Sequence, residues 1–298
     1  MKRVLRNLVI VVLRQLPLKS GVTAIASYKF IKWLIRDLPD PVMTTLRDGT
    51  PIATSPHDHD GTILYLFGTN DPKVKLTTEA LLNPGDTFLD IGANHATIGF
   101  AAAQVVGPKG LVHVFEPQRK LGDRIDAAIR PGRYGNVVLH RIGLLDIDGS
   151  FELRSPSNHS GCATFVDIGT ATHFNASEIC IVRAIAPYVG PLIEGRRFAA
   201  KIDIEGAEPK ILPWLLAQPT TRFLIFEASQ NSQALYDTVR AAGFILYGLV
   251  RHPLLMRYQR IDSLTELSRF HDVVALNAVG PGPAMTNRTG LTKLLRAA

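Results

Sequence analysis

The sequence predicts an α/β fold, an open and mostly parallel sheet with helices on both faces. Three segments predict it. Residues 86–91 (Asp-Thr-Phe-Leu-Asp-Ile) run into Gly92-Ala93-Asn94 and then a helical pattern. Residues 111–117 (Leu-Val-His-Val-Phe-Glu-Pro) and 198–208 (Phe-Ala-Ala-Lys-Ile-Asp-Ile-Glu-Gly-Ala-Glu) also carry an apolar strand into an acid. Short apolar strands alternating with helical stretches build a parallel sheet covered on both sides.

The elements follow in chain order. Residues 1–40 read as a basic, amphipathic helical arm. Leu5, Leu8, Val12 and Leu16 share one helical face, and Ile25, Tyr28, Ile31, Ile35 and Leu38 form a second, with Pro17 and Gly21 between them. Residues 41–80 read as a small β lead-in, with Val42–Phe67 forming two or three short strands around Asp48-Gly49 and Asp60-Gly61. The string His57-Asp58-His59-Asp60 reads as a solvated turn. Residues 81–280 are the main domain, and Pro281-Gly282-Pro283 opens a tail, 281–298.

Within the main domain, Thr87–Ile91 is a buried strand and His95 onward a helix, with Ile98, Ala101, Ala102 and Val105 on one face. Leu111–Phe115 is the second strand and Arg119–Ile129 a helix. Val137–Ile142 is the third strand, and Asp148-Gly149 turns a hairpin into Phe151–Leu153. A long connection, Arg154 to Arg197, contains the polar run from Ser155 to Gly161, the composition of a lid or substrate loop. Phe198–Ile204 is the fourth strand, followed by a helix over Ala207–Leu216. Arg222–Phe226 is the fifth strand, Gln233–Ala242 a helix, and Phe244–Val250 and Val273–Leu276 the last strands, paired antiparallel.

The first strand–turn–helix unit resembles a dinucleotide site but keeps only the first of its glycines. The glycine positions of that fingerprint fall on Gly92, Asn94 and Thr97. The middle glycine lets a pyrophosphate touch the backbone, and Asn94 fills that space. Its amide bonds the amino-acid end of a ligand or braces the turn. Glu116 ends the second strand 24 residues after Gly92, near the offset at which an acid accepts from both ribose hydroxyls. Asp90, Gly92, Ala93, Asn94, Thr97, Glu116 and Pro117 therefore read as a site for an adenosine-containing cofactor without pyrophosphate. That points to S-adenosylmethionine, and so to methyl transfer.

Asp203 and Glu205 stand two apart, so strand alternation puts them on one face, and Glu227 ends the next strand. These three carboxylates converge at the carboxyl edge of the sheet, where open α/β sheets bind ligands. Such a cluster takes up a proton, holds a hard cation or fixes loops. Asp203 also borders the cofactor. Glu208 reads as a helix-start acid. His95 reads as a substrate contact or the start of its helix, and His159 as a solvated loop residue or a base. No metal site is expected.

These strings resemble the FkbM family of S-adenosylmethionine-dependent methyltransferases: Asp90-Ile91-Gly92-Ala93-Asn94, Phe115-Glu116-Pro117, and 201–208 as the most specific. The weaker likeness spans Leu46 to Leu276 and includes Pro84-Gly85-Asp86. The resemblance implies the class I methyltransferase fold, a Rossmann-like, seven-stranded and mostly parallel sheet with one antiparallel strand. It also implies methylation of a hydroxyl oxygen on a small molecule or saccharide, with Gly92, Asn94 and Glu116 on the cofactor and Asp203 beside the reacting centre. Two departures stand out. Ala96 replaces a glycine, which narrows the room above the turn, and Ile185-Ala186 replaces Leu-Asp.

Composition bounds the alternatives. The 298 residues are 46% hydrophobic, enough for one large core. The net charge of +7 sits entirely in residues 1–38, which hold eight basic residues against Asp37. The rest sums to zero, so the body has no broad nucleic-acid surface. The arm lies on an anionic membrane, or packs on the domain or a second subunit. Cys162 and Cys180 lack metal-site spacing and read as reduced thiols of a cytoplasmic protein. No apolar run is long enough to span a bilayer. The short run Leu8–Val12, followed by Arg14 and Lys19, is not a secretory signal. A nicotinamide dehydrogenase, an N-methyltransferase and a cofactor-binding module without activity are the competing functions. The dehydrogenase lacks its glycine and a Tyr-x-x-x-Lys pair. The N-methyltransferase lacks an Asp/Asn-Pro-Pro-aromatic string.

Overall fold

The structure is a computed structural model and describes residues 1–129, 133–166, 174–228 and 232–277. The amino-terminal arm folds as α1 (Lys2–Gln15), α2 (Val22–Ala26) and α3 (Lys29–Ile35). A hairpin of β1 (Val42–Thr45) and β2 (Pro51–Thr54) follows, then α4 (His59–Phe67) and α5 (Pro72–Leu81). The main domain continues through β3 (Thr87–Ile91), α6 (Thr97–Val106), β4 (Leu111–Phe115), α7 (Arg119–Ile129), β5 (Val137–His140), β6 (Gly143–Leu145), β7 (Gly149–Ser155), β8 (Ala176–Ala184) and α8 (Ile185–Ile193). It ends with β9 (Phe198–Ile202), α9 (Glu208–Ala217), β10 (Thr221–Glu227), α10 (Ser232–Ala241), β11 (Phe244–Leu249), β12 (Tyr258–Ile261), α11 (Leu264–Leu267) and β13 (Asp272–Asn277).

Eight strands form the central sheet in the order β12-β11-β13-β10-β9-β3-β4-β5. The contiguous strands β10, β9, β3, β4 and β5 are parallel, and β13 runs antiparallel to both its neighbours, β10 and β11. This is the class I methyltransferase arrangement, a Rossmann-like sheet in which β13 is reversed between β10 and β11. The seven expected strands are joined by an eighth, β12, which pairs antiparallel with the outer edge of β11. Its sequence, Tyr258-Gln259-Arg260-Ile261, is half polar because an edge strand meets solvent, and so it gives no apolar run.

Side chains alternate across the sheet. Phe88, Val112, Val114, Ala199, Phe223 and Ile225 pack towards α5, α6 and α7, with Tyr134 and Phe100 stacked at a centroid distance of 4.5 Å. Leu89, Ile91, Phe115, Ala200, Ile202, Leu224 and Phe226 pack towards α8, α9 and α10. Both faces are apolar, which is why periodicity alone gives runs instead of alternation. A third cluster joins the arm to the body: Leu13, Val22, Ile31 and Ile35 pack on Ile63, Leu66 and Phe67 of α4.

Several sequence expectations are corrected. Residues 59–67 form a helix, not a strand around Asp60-Gly61. Asp58 caps it by accepting from the Gly61 amide at 2.8 Å, and Gly61 is a helix residue pressed against the Ser55 carbonyl, where a side chain would collide. Residues 72–81, placed in the β lead-in, are helical, with Asp71 as cap and Pro72 in the first turn. The hairpin expected at Asp148-Gly149 does not form. Instead β6 and β7 both pair with β8, β6 parallel and β7 antiparallel. The long connection thus contributes a strand and α8, the polar run lies between β7 and β8, and residues 167–173 lie outside the described residues. Residues 281–298 lie outside the described residues.

Pro84-Gly85-Asp86 has a structural reason. Asp86 is fully buried, accepts from the Asn83 amide at 2.8 Å and pairs with the buried Arg222 guanidinium at the start of β10. Replacing Asp86 with Ala leaves that guanidinium buried without its carboxylate. A loss of about 3–5 kcal/mol in urea denaturation is expected, and a loss below about 1 kcal/mol would refute the role.

Candidate active site

The carboxyl ends of β3, β4, β9 and β10 surround two connected hollows. A wide cleft of about 820 Å³ is lined by Asn94, Thr97, Lys201, Asp203, Glu205, Glu227, Asp60 and His159, among others. A narrow cavity of about 50 Å³ lies between Gly92, Glu116, Pro117 and the apolar walls Ile142, Leu144, Leu153 and Phe165. Asn94, Gly161 and Asp203 line both.

The turn after β3 is held by close main-chain contacts. Gly92 has φ 70°, and a Cβ placed on it would run into the Asp203 carbonyl. The Asp203 amide in turn donates to the Ile91 carbonyl at 3.0 Å. So the glycine is required because the β9–α9 turn presses on it, not because a ligand does. The amides of Gly92 and Ala93 both donate to the Phe115 carbonyl, at 3.1 and 3.0 Å.

Asn94, at φ 51°, is committed to the protein. Its amide nitrogen donates from the side chain to Asp60 (3.2 Å) and Ser160 (3.4 Å), and its carbonyl meets the His95 ring. Of the two roles open to it, bracing is the one displayed. Ala96, at φ 53°, is wholly buried in the core beside Phe100 and borders neither hollow, so it does not narrow the site. His95 lines neither hollow and precedes α6, which begins at Thr97. It is buried against Thr54 (3.0 Å), and burial pushes it down to about 4, a neutral bridge between the lead-in and the turn.

Glu116 sits at the edge of the narrow cavity. Its carboxylate accepts the Asn94 amide at 2.7 Å and the Gln118 amide at 2.9 Å, yet burial pushes it up to about 8. Asp90 is in neither lining. It is fully buried, bonds the Gly99 amide at 2.8 Å at the start of α6, and is pushed up to about 6 by burial. It positions the turn and does not reach a ligand. Pro117 lines the narrow cavity, whereas Ala93 and Thr97 line the cleft.

Lys201 was not singled out from the sequence. It pairs in register with Asp90 across β3 and β9, so its ammonium emerges on the same face. It donates to the Gly92 carbonyl at 2.6 Å, meets Asp203 at 3.1 Å and stands 3.8 Å from Asp90. Burial opposes its charge, but Asp203 and Asp90 outweigh that and raise its pKa. A lysine inside an apolar strand, two residues before an acid and opposite another, was the available signal.

The strand β9 ends at Ile202, two residues earlier than expected, so Asp203 and Glu205 do not face alike by strand alternation. Glu205 reaches the cleft through a left-handed backbone, φ 49°, followed by Gly206 at φ 95°. One oxygen from each of Asp203, Glu205 and Glu227 lies within 4.8 Å of the others. Burial, then Asp203 and Glu208, push Glu205 up to about 8. Burial, then Asp203 and Glu205, raise Glu227 well above its ordinary range. Glu227 also contacts His271 at 3.3 Å. Glu208 accepts the Ile204 and Gly206 amides at 3.0 and 2.9 Å and so fixes the turn from the start of α9.

The string at 57–60 is not a solvated turn. Asp58 accepts from the Ser160 amide (2.6 Å) and Asp60 from the Gly161 amide (2.8 Å), pinning the polar loop over Asn94. Gln118 adds a bond to the Ser160 carbonyl at 3.0 Å. His159 lies 3.7 Å from Asp60 and 3.1 Å from the Cys162 sulfur. Its bond to Asp60, then to Cys162, raises it to about 10. These contacts join segments a hundred residues apart, which no local pattern reveals.

No protein-family model matches the chain, and no curated protein does. Among solved structures it is similar to precorrin-6Y C5,15-methyltransferase from Geobacter metallireducens GS-15 at 12% identity, over 69% of this chain and 89% of that one, TM-score 0.39. It is also similar to Aeropyrum pernix fibrillarin with bound S-adenosyl-L-methionine (13%, 78% and 93%, TM-score 0.38) and to an S-adenosylmethionine-dependent O-methyltransferase from Thermotoga maritima (10%, 82% and 94%, TM-score 0.37). Likenesses this faint say nothing of what this chain binds or does.

The buried acids set a pH dependence. The histidines lowered to about 4, His95 and His113, stop adding stability once pH passes their ordinary 6.5. Above that, Glu116 and Glu205 still hold protons in the folded state that the unfolded chain, with its ordinary 4.5, has lost. Stability therefore falls as pH rises from about 6.5 to about 8. Thermal melts across this interval should show a falling Tm, with a shallower slope in Glu116→Gln. A Tm that climbs through it would contradict the arrangement.

Proposed function

We propose that this protein is an S-adenosylmethionine-dependent methyltransferase acting on a hydroxyl oxygen of a small molecule or saccharide. The observation that carries this reading is the Glu116 carboxylate at the edge of an apolar-walled cavity that meets, at Asn94 and Asp203, a wide acidic cleft. The motif resemblance to the FkbM family supports the same reading.

The residues present suit this cofactor. Each Glu116 oxygen takes one backbone amide and keeps a further acceptor position for a ribose hydroxyl. Ile142, Leu144, Leu153 and Phe165 offer apolar flanks to a flat base. Asn94 fills the place a pyrophosphate would need. When bound, S-adenosylmethionine supplies an electrophilic methyl group on a sulfonium.

The chain then provides position, a proton acceptor and shelter from water. Asp203 is engaged with the Lys201 ammonium, so Glu205 and Glu227, whose proton affinity burial and mutual repulsion raise, are the better acceptors for a hydroxyl proton. Of the three acids Asp203 is then the least suited as base, and it keeps the place beside the reacting centre that the resemblance implies. The ammonium also supplies positive charge inside the cluster, which favours a proton over a hard cation there. The loop pinned by Asp58 and Asp60 covers the turn and limits water.

Calorimetry should show binding of S-adenosylmethionine and S-adenosylhomocysteine and none of NAD. Glu116→Ala should weaken it by about 10–100-fold, the loss of hydrogen bonds to a diol. Failure of wild-type protein to bind the sulfonium compound removes the proposal. Incubation with metabolite extracts should add a methyl group to one component. Glu205→Gln and Glu227→Gln should slow this by about 100-fold or more while leaving cofactor affinity unchanged. Wild-type binding without any methylated product would make this a binding module. Treatment with a chelator should leave turnover intact, and its loss would place a cation among the three carboxylates.

A further inference from the structure

The face of α1 expected to share Leu5, Leu8, Val12 and Leu16 does not pack on the body. Contact with α3 and α4 is made by the opposite side, through Val9, Ile10 and Leu13. Left outside are Val4 (72% exposed), Leu8 (60%), Val11 (58%) and Val12 (52%), with Leu5 and Leu16 beside them. Positions 4, 5, 8, 11 and 12 fall on one helical arc, so this is a continuous apolar stripe, not scattered surface residues. α1 is thus apolar on both sides, and only one of them is satisfied within the chain.

The neighbouring helix extends the surface. Phe30 and Trp33 of α3 are exposed and stacked at a centroid distance of 5.8 Å, and the Lys2 ammonium lies 5.0 Å over the Trp33 ring. Around them stand Arg3, Lys29, Lys32 and Arg36, all exposed. The charge of the whole chain, +7, resides in this arm. Lys2 and Arg6 are paired with Asp37, and Arg14 is turned inward onto Thr44 and Thr45. The exposed cations are therefore free to face outward partners while the inner ones hold the arm to the body.

An apolar stripe, exposed aromatic rings and a rim of cations match a surface that is apolar inside and anionic at its boundary. We propose that the outer face of α1, with Phe30 and Trp33, seats this protein on an anionic phospholipid bilayer. It lies on the surface and does not cross, since no helix among the described residues is long and apolar enough to span a membrane. Residues 19–24, the linker after α1 and the first residues of α2, also line the wide cleft. Charge argues for lipid over a second copy of the chain, because two such arms would bring like charges together.

The test is co-sedimentation of the full chain with vesicles of phosphatidylcholine alone and of equal parts phosphatidylcholine and phosphatidylglycerol, independent of any cofactor or activity. The protein should pellet with the anionic vesicles and much less with the neutral ones, and high salt should weaken the association. The double variant Leu8→Glu/Val12→Glu, at exposed positions, should lose about tenfold or more in affinity with an unchanged thermal melt. Arg3→Glu/Lys29→Glu, which spares the apolar stripe, should weaken binding to the anionic vesicles alone. No pelleting of the wild type, or pelleting that both variants retain, overturns the proposal. A concentration-dependent dimer that Leu8→Glu/Val12→Glu disperses, without vesicle binding, overturns it in favour of a second copy.

Discussion

Two loops of the protein meet with no room for a side chain between them. The backbone at Gly92 presses on the Asp203 carbonyl, and the Lys201 ammonium bonds the Gly92 carbonyl and the Asp203 carboxylate together. Everything at the carboxyl edge of the sheet is measured from that contact. It sets the turn that offers the Asn94 amide to Glu116, and it sets the height at which Glu205 enters the cleft. A buried lysine is costly unless paired, and this one has Asp90 behind it and Asp203 ahead of it. The positive charge is thus fixed at the junction of the narrow cavity and the wide cleft, where clustered carboxylates would otherwise repel.

That junction separates two kinds of acid. Glu116 is held by backbone amides in an apolar wall, which suits recognition of hydroxyls. Burial, and then repulsion among Glu205, Glu227 and Asp203 across the cleft, lets Glu205 and Glu227 hold protons at a pH where isolated carboxylates do not. Environment, not residue type, divides their roles. The polar loop completes the enclosure. Asp58 and Asp60, from the first turn of α4, anchor it at Ser160 and Gly161, where a side chain on Gly161 would strike the Asp60 carboxylate.

Strands β3, β4, β9 and β10 were legible because each is a short apolar run closed by glycine or an acid. The misreadings have physical causes. Asp60-Gly61 looks like a turn, but a capping Asp58 and a tight approach to Ser55 make it helical. Asp148-Gly149 looks like a hairpin, but the strand that pairs with β7 comes some thirty residues later, after the polar loop. Asp90 looked like a ligand group because it precedes the glycine. Its position in the middle of a buried face instead turns it to α6 and Lys201. Ala96 looked like an obstruction, but its left-handed backbone sends the methyl into the core.

By itself the sequence determined which strands build the sheet, that Glu116 and the acids after β9 and β10 gather at one edge, and that the charge lies in the first helices. These follow from local rules of periodicity, turn chemistry and the shared direction of parallel strands. Tertiary structure alone decided that Lys201 ties two loops, that Asp58 and Asp60 hold down the polar loop, and which side of α1 is left bare. Each of those depends on the packing of segments distant in the chain, and a helix apolar on two sides carries no mark of which one its own fold will cover.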